Sequence, residues 1–269
     1  MLRYMMLVDI EGVTGVTTFH QAEKEPFGRD MMMHDINAVL EGILSEPGNE
    51  VLIFEEHTDG CNIDLSDLPA GVQVVRGKPL INGAWKGIDS SYDGLIMVGF
   101  HARYGVEGAL LPHSYGPQNR DIRINGVNVG EIGVEAGMAG DAGVPLVLVT
   151  GDSAGCDEAS ELVPGVMTVS VKEALGSTYA RSLNPKDSAA ILREAGLKLA
   201  RGIPDVKAKT YGETVSMEID LAEGAFADTL RLWHPELFVS AHTIVLNGKS
   251  VTEVWQRYLQ EERRINSVI

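Results

Sequence analysis

Residues 3–12 read RYMMLVDIEG. The run from Tyr4 to Val8 is apolar without alternation, the signature of a strand covered on both faces, as in a helix-clad parallel sheet. It stops abruptly at Asp9 and Glu11. The same pattern recurs downstream. Residues 50–54 (EVLIF) follow a break at Pro47-Gly48 and run into Glu55-Glu56-His57. Residues 93–99 (DGLIMVG) lead into GFHAR with His101, and residues 145–150 (PLVLVT) form another apolar run. Helical periodicity lies between the first two, at 29–45, with Met32, Ile36, Leu40, Ile43 and Leu44 on one face. Residues 121–129 (IRI-NG-VNV) predict a tight hairpin, and 131–142 a helix ending near Gly143. Strand and helix in alternation predict an α/β fold, a doubly wound and mostly parallel sheet.

Beyond about residue 175 the rhythm changes. A helix is expected at 186–201, with Pro185 near its first turn. Residues 212–220 and 238–246 have β character, and 221–231 and 250–263 are helical in pattern. The expectation is an α/β metal-binding domain over 1–175 and a second, smaller α+β domain over 176–269. The second would be packed on the first and used in assembly, with the boundary in 176–185.

Composition narrows the class. The 269 residues carry 22 Lys plus Arg against 38 Asp plus Glu, a net charge of −16. An acidic surface argues against a nucleic-acid partner, because phosphate backbones require basic ones. No apolar run approaches the roughly 18 residues of a membrane span, so no membrane partner is expected. The two cysteines, Cys61 and Cys156, have neither metal spacing nor a disulfide framework, and a cytoplasmic, reducing location fits them.

Chemistry is expected where the apolar strands end, because ligands of open α/β sheets bind beyond the carboxyl ends of the strands. Those ends supply Asp9, Glu11, His57 and His101, and a helix start supplies Glu131. Spacing of i and i+2 would put Asp9 and Glu11 on one face of a strand. Each residue has an ordinary alternative. Asp9 and Glu11 could be loop acids, His57 a solvated turn residue and His101 a hydrogen-bonded core histidine. Glu131 could simply complement a helix dipole. Their coincidence at four separate element ends favours a shared site. Three carboxylates at one point repel unless a cation joins them. Mixed imidazole and carboxylate ligands suit zinc, with manganese or cobalt as alternatives. Five ligands exceed the three usual at one catalytic zinc, but suit two ions about 3.5–4 Å apart that share a carboxylate.

His113, in the loop LLPHSYG, is the candidate catalytic residue: base, nucleophile or clamp on developing charge. His20, His34 and His234 read as surface residues, and His242 as packed or paired within a strand. Glu135, one turn after Glu131, defaults to a solvated face. Gly130, Gly133 and Gly137 do not form the dinucleotide fingerprint, and no phosphate loop occurs.

The set VDIEGVTG, a histidine after the second strand, GFHAR, PHSY, INGVNVGEIGVEA and PLVLVTGD resembles the D-aminopeptidases of the DppA type, peptidase family M55. The resemblance extends through VSVKEALG and SAHTIVLNG, nearly the whole chain. It implies a two-zinc aminopeptidase acting on short peptides or amino acid amides. Asp9, Glu11, His57, His101 and Glu131 match the family's metal ligands, with Asp9 as the bridge. His113 matches the histidine assigned as nucleophile or base. A homo-oligomer, a ring-like decamer, is implied too. One departure is Glu55-Glu56, where the family typically has Asp-Ser before the histidine; this bears on substrate preference, including D against L. Glu55, Glu56 and Glu135 are candidates for holding a substrate amine. The expected chemistry is metal-assisted amide hydrolysis, with His113 moving the proton or stabilising the oxyanion. The rivals are hydrolysis of another small amide at the same centre, and a metal-bound binding or scaffold protein without turnover.

Overall fold

The computed structural model describes residues 1–77 and 87–269. In chain order its main elements are β1 (Arg3–Val8), α1 (Phe19–Glu23), α2 (Pro26–Ile43), β2 (Glu50–Glu55), β3 (Gln73–Val75), β4 (Gly94–Phe100), β5 (Asn119–Ile124), β6 (Val127–Val129) and α3 (Glu131–Asp141). There follow β7 (Leu146–Asp152), α4 (Ser153–Leu162), β8 (Met167–Gly176), β9 (Tyr179–Ser182), α5 (Pro185–Arg201), β10 (Val215–Leu221), α6 (Ala225–Trp233), β11 (Thr243–Gly248) and α7 (Val251–Asn266).

Seven strands form one sheet in the order β3-β2-β1-β4-β7-β8-β9. Every pairing is parallel except that of β8 with β9. The chain winds outward from β1 in one direction through β2 and β3, and from β4 in the other. The switch between β1 and β4 opens a crevice at their carboxyl ends. A second, antiparallel sheet has the order β11-β10-β5-β6.

The unbroken apolar runs follow from burial on both faces. Tyr4, Met6 and Val8 of β1 pack with Met32, Ile36 and Leu40 of α2 and with Leu192 and Leu199 of α5. Met5 and Leu7 point the other way, into a core shared with Ile132 of α3, Ile122 and Met217 of the small sheet, and Trp255 of α7. β4 and β7 are buried along their whole length. Helices α2 and α5 touch backbone to backbone: a Cβ added to Gly196 would lie 2.3 Å from the Val39 carbonyl oxygen.

The fold class expected from sequence is the one observed. The elements differ in detail. Helix α2 begins at Pro26 rather than 29, because proline suits the first helical turn. Asn125 and Gly126 turn the β5–β6 hairpin with φ of 50° and 80°, as a two-residue turn requires. Helix α4 has no counterpart in the sequence reading; Asp152 caps it by accepting from the Gly155 N–H. The strands also cross the expected divide at 175/176. Hairpin β5–β6 joins β10 in the small sheet, β9 pairs with β8, and α5 packs on the large sheet beside α2. Local hydrophobic patterning reports that a segment is covered, not by which partner.

Candidate metal centre

Asp9 follows β1 directly and His101 follows β4, so the two lie side by side at the switch point. His57 comes two residues after β2, and Glu131 opens α3. The structure brings all five together. His57 Nδ1 is 3.1 Å from Asp9 Oδ1 and 3.1 Å from Glu11 Oε2. His101 Nε2 is 3.4 Å from Asp9 Oδ2 and 3.6 Å from Glu131 Oε1. The five residues are only 2–8% exposed. Asp9 and Glu11 converge for a reason other than strand alternation. Strand β1 ends at Val8, and the chain turns through residues 10–12. That turn is pressed onto β4: the Gly12 N–H donates to the Gly99 carbonyl at 2.7 Å, and a Cβ on Gly12 would lie 2.0 Å from the Phe100 oxygen. Only glycine fits there.

Among the described residues, no lysine or arginine side chain pairs with Asp9, Glu11 or Glu131; their ionic partners are the imidazoles. Electrostatics show what the cluster lacks. Burial disfavours a charged Asp9, yet the His101 and His57 imidazoles beside it hold it well below the usual carboxylate range. Burial and the Asp9 charge push Glu11 up. Burial pulls the His57 imidazole down, but Asp9 and Glu11 outweigh it and raise it to about 10. His101 also rises, against burial, chiefly through Glu131 and Asp9. The cluster draws positive charge to itself. The His101 Nδ1 faces the Ala102 carbonyl at 3.0 Å, and a carbonyl only accepts, so Nδ1 carries a proton. In the neutral ring, the Nε2 lone pair then points at two carboxylates. Among the described residues, buried His57 Nε2 and His101 Nε2 have no hydrogen-bond partner, although nearly all buried polar groups do. Divalent cations fit this donor set. Asp9, Glu11 and His101 offer ligand atoms within 4.8 Å of one another, and so do His101, His113 and Glu131.

His113 stands at the exposed side of this centre. Its Nδ1 meets the Leu111 carbonyl at 2.9 Å, which leaves Nε2 facing Glu131 Oε1 at 3.9 Å. The ring stacks on His101, centroids 4.0 Å apart and planes 8° from parallel, and Phe19 meets it edge-on at 5.2 Å. Three non-glycine residues beside the imidazoles are left-handed: Thr58 (φ 44°), Leu111 (φ 48°) and Tyr115 (φ 60°). Such strain persists where surrounding structure enforces it. Here the Tyr115 N–H donates to Glu131 Oε1 at 2.6 Å.

A model of the M55 peptidase family, described as D-aminopeptidase, matches residues 2–259. This chain belongs to peptidase family M55. It is 27% identical over 263 residues to the D-aminopeptidase of Bacillus subtilis (strain 168), covering 96% of each chain. It also shares the fold of the solved Zn-dependent D-aminopeptidase DppA from Bacillus subtilis, described as a self-compartmentalizing protease. The TM-score there is 0.88, with 24% identity and 98% of each chain covered. The resemblance read from the VDIEGVTG, GFHAR and VGE motifs is therefore membership, and the M55 chain is a peptidase.

The candidate centre rests on buried charged groups whose bracing role the sequence does not reveal. Lys172, from β8, donates to the carbonyls of Glu11 (2.6 Å), Val13 (2.7 Å) and Val16 (2.5 Å), pinning the loop that carries two acids. Asp35 of α2 accepts from the Thr14 N–H and hydroxyl, at 2.9 and 2.8 Å. Glu55 accepts from the N–H groups of Asn62 and Ile63 and from the Asn62 amide, at 2.6–3.1 Å. It braces the loop after His57, so it is not the amine holder expected from sequence. Glu135 is buried and accepts the Tyr115 hydroxyl at 3.1 Å rather than facing solvent. His34 is not a plain surface residue, since it bridges Asp35 and the Pro185 carbonyl. His234 bridges Glu236 and Glu261, whereas His242 is exposed and precedes its strand. No strand pattern reveals Lys172 as special; only its position against the loop does.

Proposed function

We propose that this M55 chain is a zinc-dependent aminopeptidase that cleaves the amino-terminal amide bond of short peptides. Asp9, Glu11, His57, His101 and Glu131 would hold two zinc ions. The observation that carries this reading is a buried set of three carboxylates and two imidazoles whose Nε2 atoms have no hydrogen-bond partner among the described residues. No lysine or arginine side chain there is ion-paired to the carboxylates, and the nearby Lys172 ammonium is taken up by backbone carbonyls. The bridging role suits Asp9, because its two oxygens face different histidines, Oδ1 toward His57 and Oδ2 toward His101.

When bound, zinc supplies a Lewis acid for the scissile carbonyl and lowers the pKa of a water toward about 7. The chain supplies proton transfer and orientation. His113 is held by the Leu111 carbonyl, so Nε2 is the atom at which a proton is taken and returned. Stacking on His101 fixes the plane of that ring, and Phe19 packs against it edge-on. The Tyr115 N–H and Glu131 fix each other at the opening of α3.

D-peptides are the substrates to test first, since the Bacillus subtilis relative is a D-aminopeptidase. Assembly as a homo-oligomer, a decamer by the family resemblance, accords with the self-compartmentalizing description of DppA. A cytoplasmic location completes the reading. The test is metal analysis of zinc-supplemented protein together with a panel of short D-peptides, L-peptides and amino acid amides. Stoichiometric zinc and chelator-sensitive release of an amino-terminal residue are expected. Protein that never holds more than trace metal refutes the reading, and turnover of amides alone would move the substrate class.

A further inference from the structure

Glu158 lies on α4, is 8% exposed, and points its carboxylate at two backbone N–H groups. Oε2 accepts from Arg103 at 2.8 Å and Oε1 from Gly130 at 3.1 Å. Arg103 comes two residues after His101, and Gly130 immediately precedes Glu131. Each oxygen therefore holds one of two segments that are distant in sequence and meet at the centre. The contact is close on every side. A Cβ on Gly130 would lie 2.5 Å from Arg103 Cβ and 3.1 Å from Glu158 Oε1, and a Cβ on Gly155 would lie 2.9 Å from the His101 carbonyl carbon. Helix α4 thus rests on the backbone of His101 while its glutamate reaches across to the start of α3.

We propose that Glu158 is a positioning residue that sets His101 against Glu131 and so fixes the spacing of the metal centre. The proposal rests on the metal reading above. Its chemistry is specific. Two donors converge on one group, so the group needs two acceptor oxygens. A glutamine of the same shape has one, and its NH₂ would face the remaining N–H.

Glu158→Gln is compared with the parent and with Glu161→Gln, which removes a charge from the exposed end of the same helix. Zinc affinity is measured by chelator competition, melting is followed in the metal-free state, and kcat and KM are separated. In E158Q, zinc affinity is expected to fall roughly 10–100-fold, the range for groups that orient metal ligands. Its kcat should fall with KM little changed, and E161Q should match the parent. A lower melting temperature with unchanged zinc affinity makes Glu158 merely structural and overturns the proposal. A second measurement covers an E158Q that does not fold: hydrogen exchange in the parent. The Arg103 and Gly130 amides should be protected without zinc and more so with it; free exchange at both overturns the role. Parent protein that takes up no zinc overturns the metal reading, and the positioning role with it. A zinc-binding parent with an equally zinc-binding E158Q overturns the positioning role alone.

Discussion

Replacing Lys172 with methionine tests whether the acid-bearing loop is held from beneath. The side chain is 2% exposed and its ammonium donates to three carbonyls, of Glu11, Val13 and Val16. Methionine keeps most of the volume and removes all three donors. A buried carbonyl without a partner costs about 1–3 kcal/mol; the Val13 carbonyl keeps the Val16 N–H at 3.4 Å, so the other two set a gross ceiling of about 2–6 kcal/mol. Part of this is recovered, because the variant no longer buries an ammonium. A net loss of about 3–5 kcal/mol is expected, the range for breaking a buried charged contact. Urea unfolding of chelator-treated protein reads that loss directly, as a lower midpoint with unchanged slope. The loop also carries Asp9 and Glu11, so zinc should stabilise the variant less than the parent, and chelator competition should show weaker binding. A K172M protein within about 1 kcal/mol of the parent, the ordinary range of a neutral substitution, would refute the reasoning. So would full loss of stability with undiminished zinc affinity, since that would separate the lysine from the centre.

Three further outcomes are expected. His113→Ala should lower kcat roughly 10²–10⁴-fold, the size of a lost general acid or base, while zinc stoichiometry stays the same; steady-state kinetics beside metal analysis decide it, and unchanged turnover removes His113 from the chemistry. Both His34 ring nitrogens face acceptors, Asp35 and the Pro185 carbonyl, each at 2.8 Å, so only the imidazolium donates to both. The Asp35 hydrogen bond raises its pKa. The stabilisation is therefore complete below the unfolded value of about 6.5 and is lost as pH rises through the higher folded value. Unfolding of parent and His34→Ala across that window should show their difference shrinking with pH; a constant difference contradicts it. Gly196→Ala should force α2 and α5 apart and cost about 1–3 kcal/mol, seen as a lower melting temperature with zinc affinity intact. An unchanged melting temperature would mean the helices can yield.

Much of the centre was readable because parallel strands announce both themselves and their ends. An apolar run that stops at an acid or histidine marks where a polar side chain leaves the sheet, and this nominated Asp9, Glu11, His57 and His101. Glu131 was readable as the acid that opens a helix after a hairpin. The braces were not readable. Lys172, Glu55, Asp35 and Glu158 each bond to backbone groups, and a backbone carbonyl or N–H has no identity in a sequence. Their partners are 7 residues away for Glu55 and 161 for Lys172, and nothing local distinguishes them from surface charges.

By itself, the sequence determined that this chain builds a doubly wound parallel sheet and which strand ends carry carboxylates and imidazoles, because both depend on the local order of apolar and polar residues. Only the tertiary structure decided that β1 and β4 stand adjacent, that β5–β6 leaves the first half of the chain to join β10, and that buried charges clamp the loops in place. Those outcomes depend on which surfaces meet in three dimensions, and the free energy of such contacts is a property of pairs of segments rather than of either one alone.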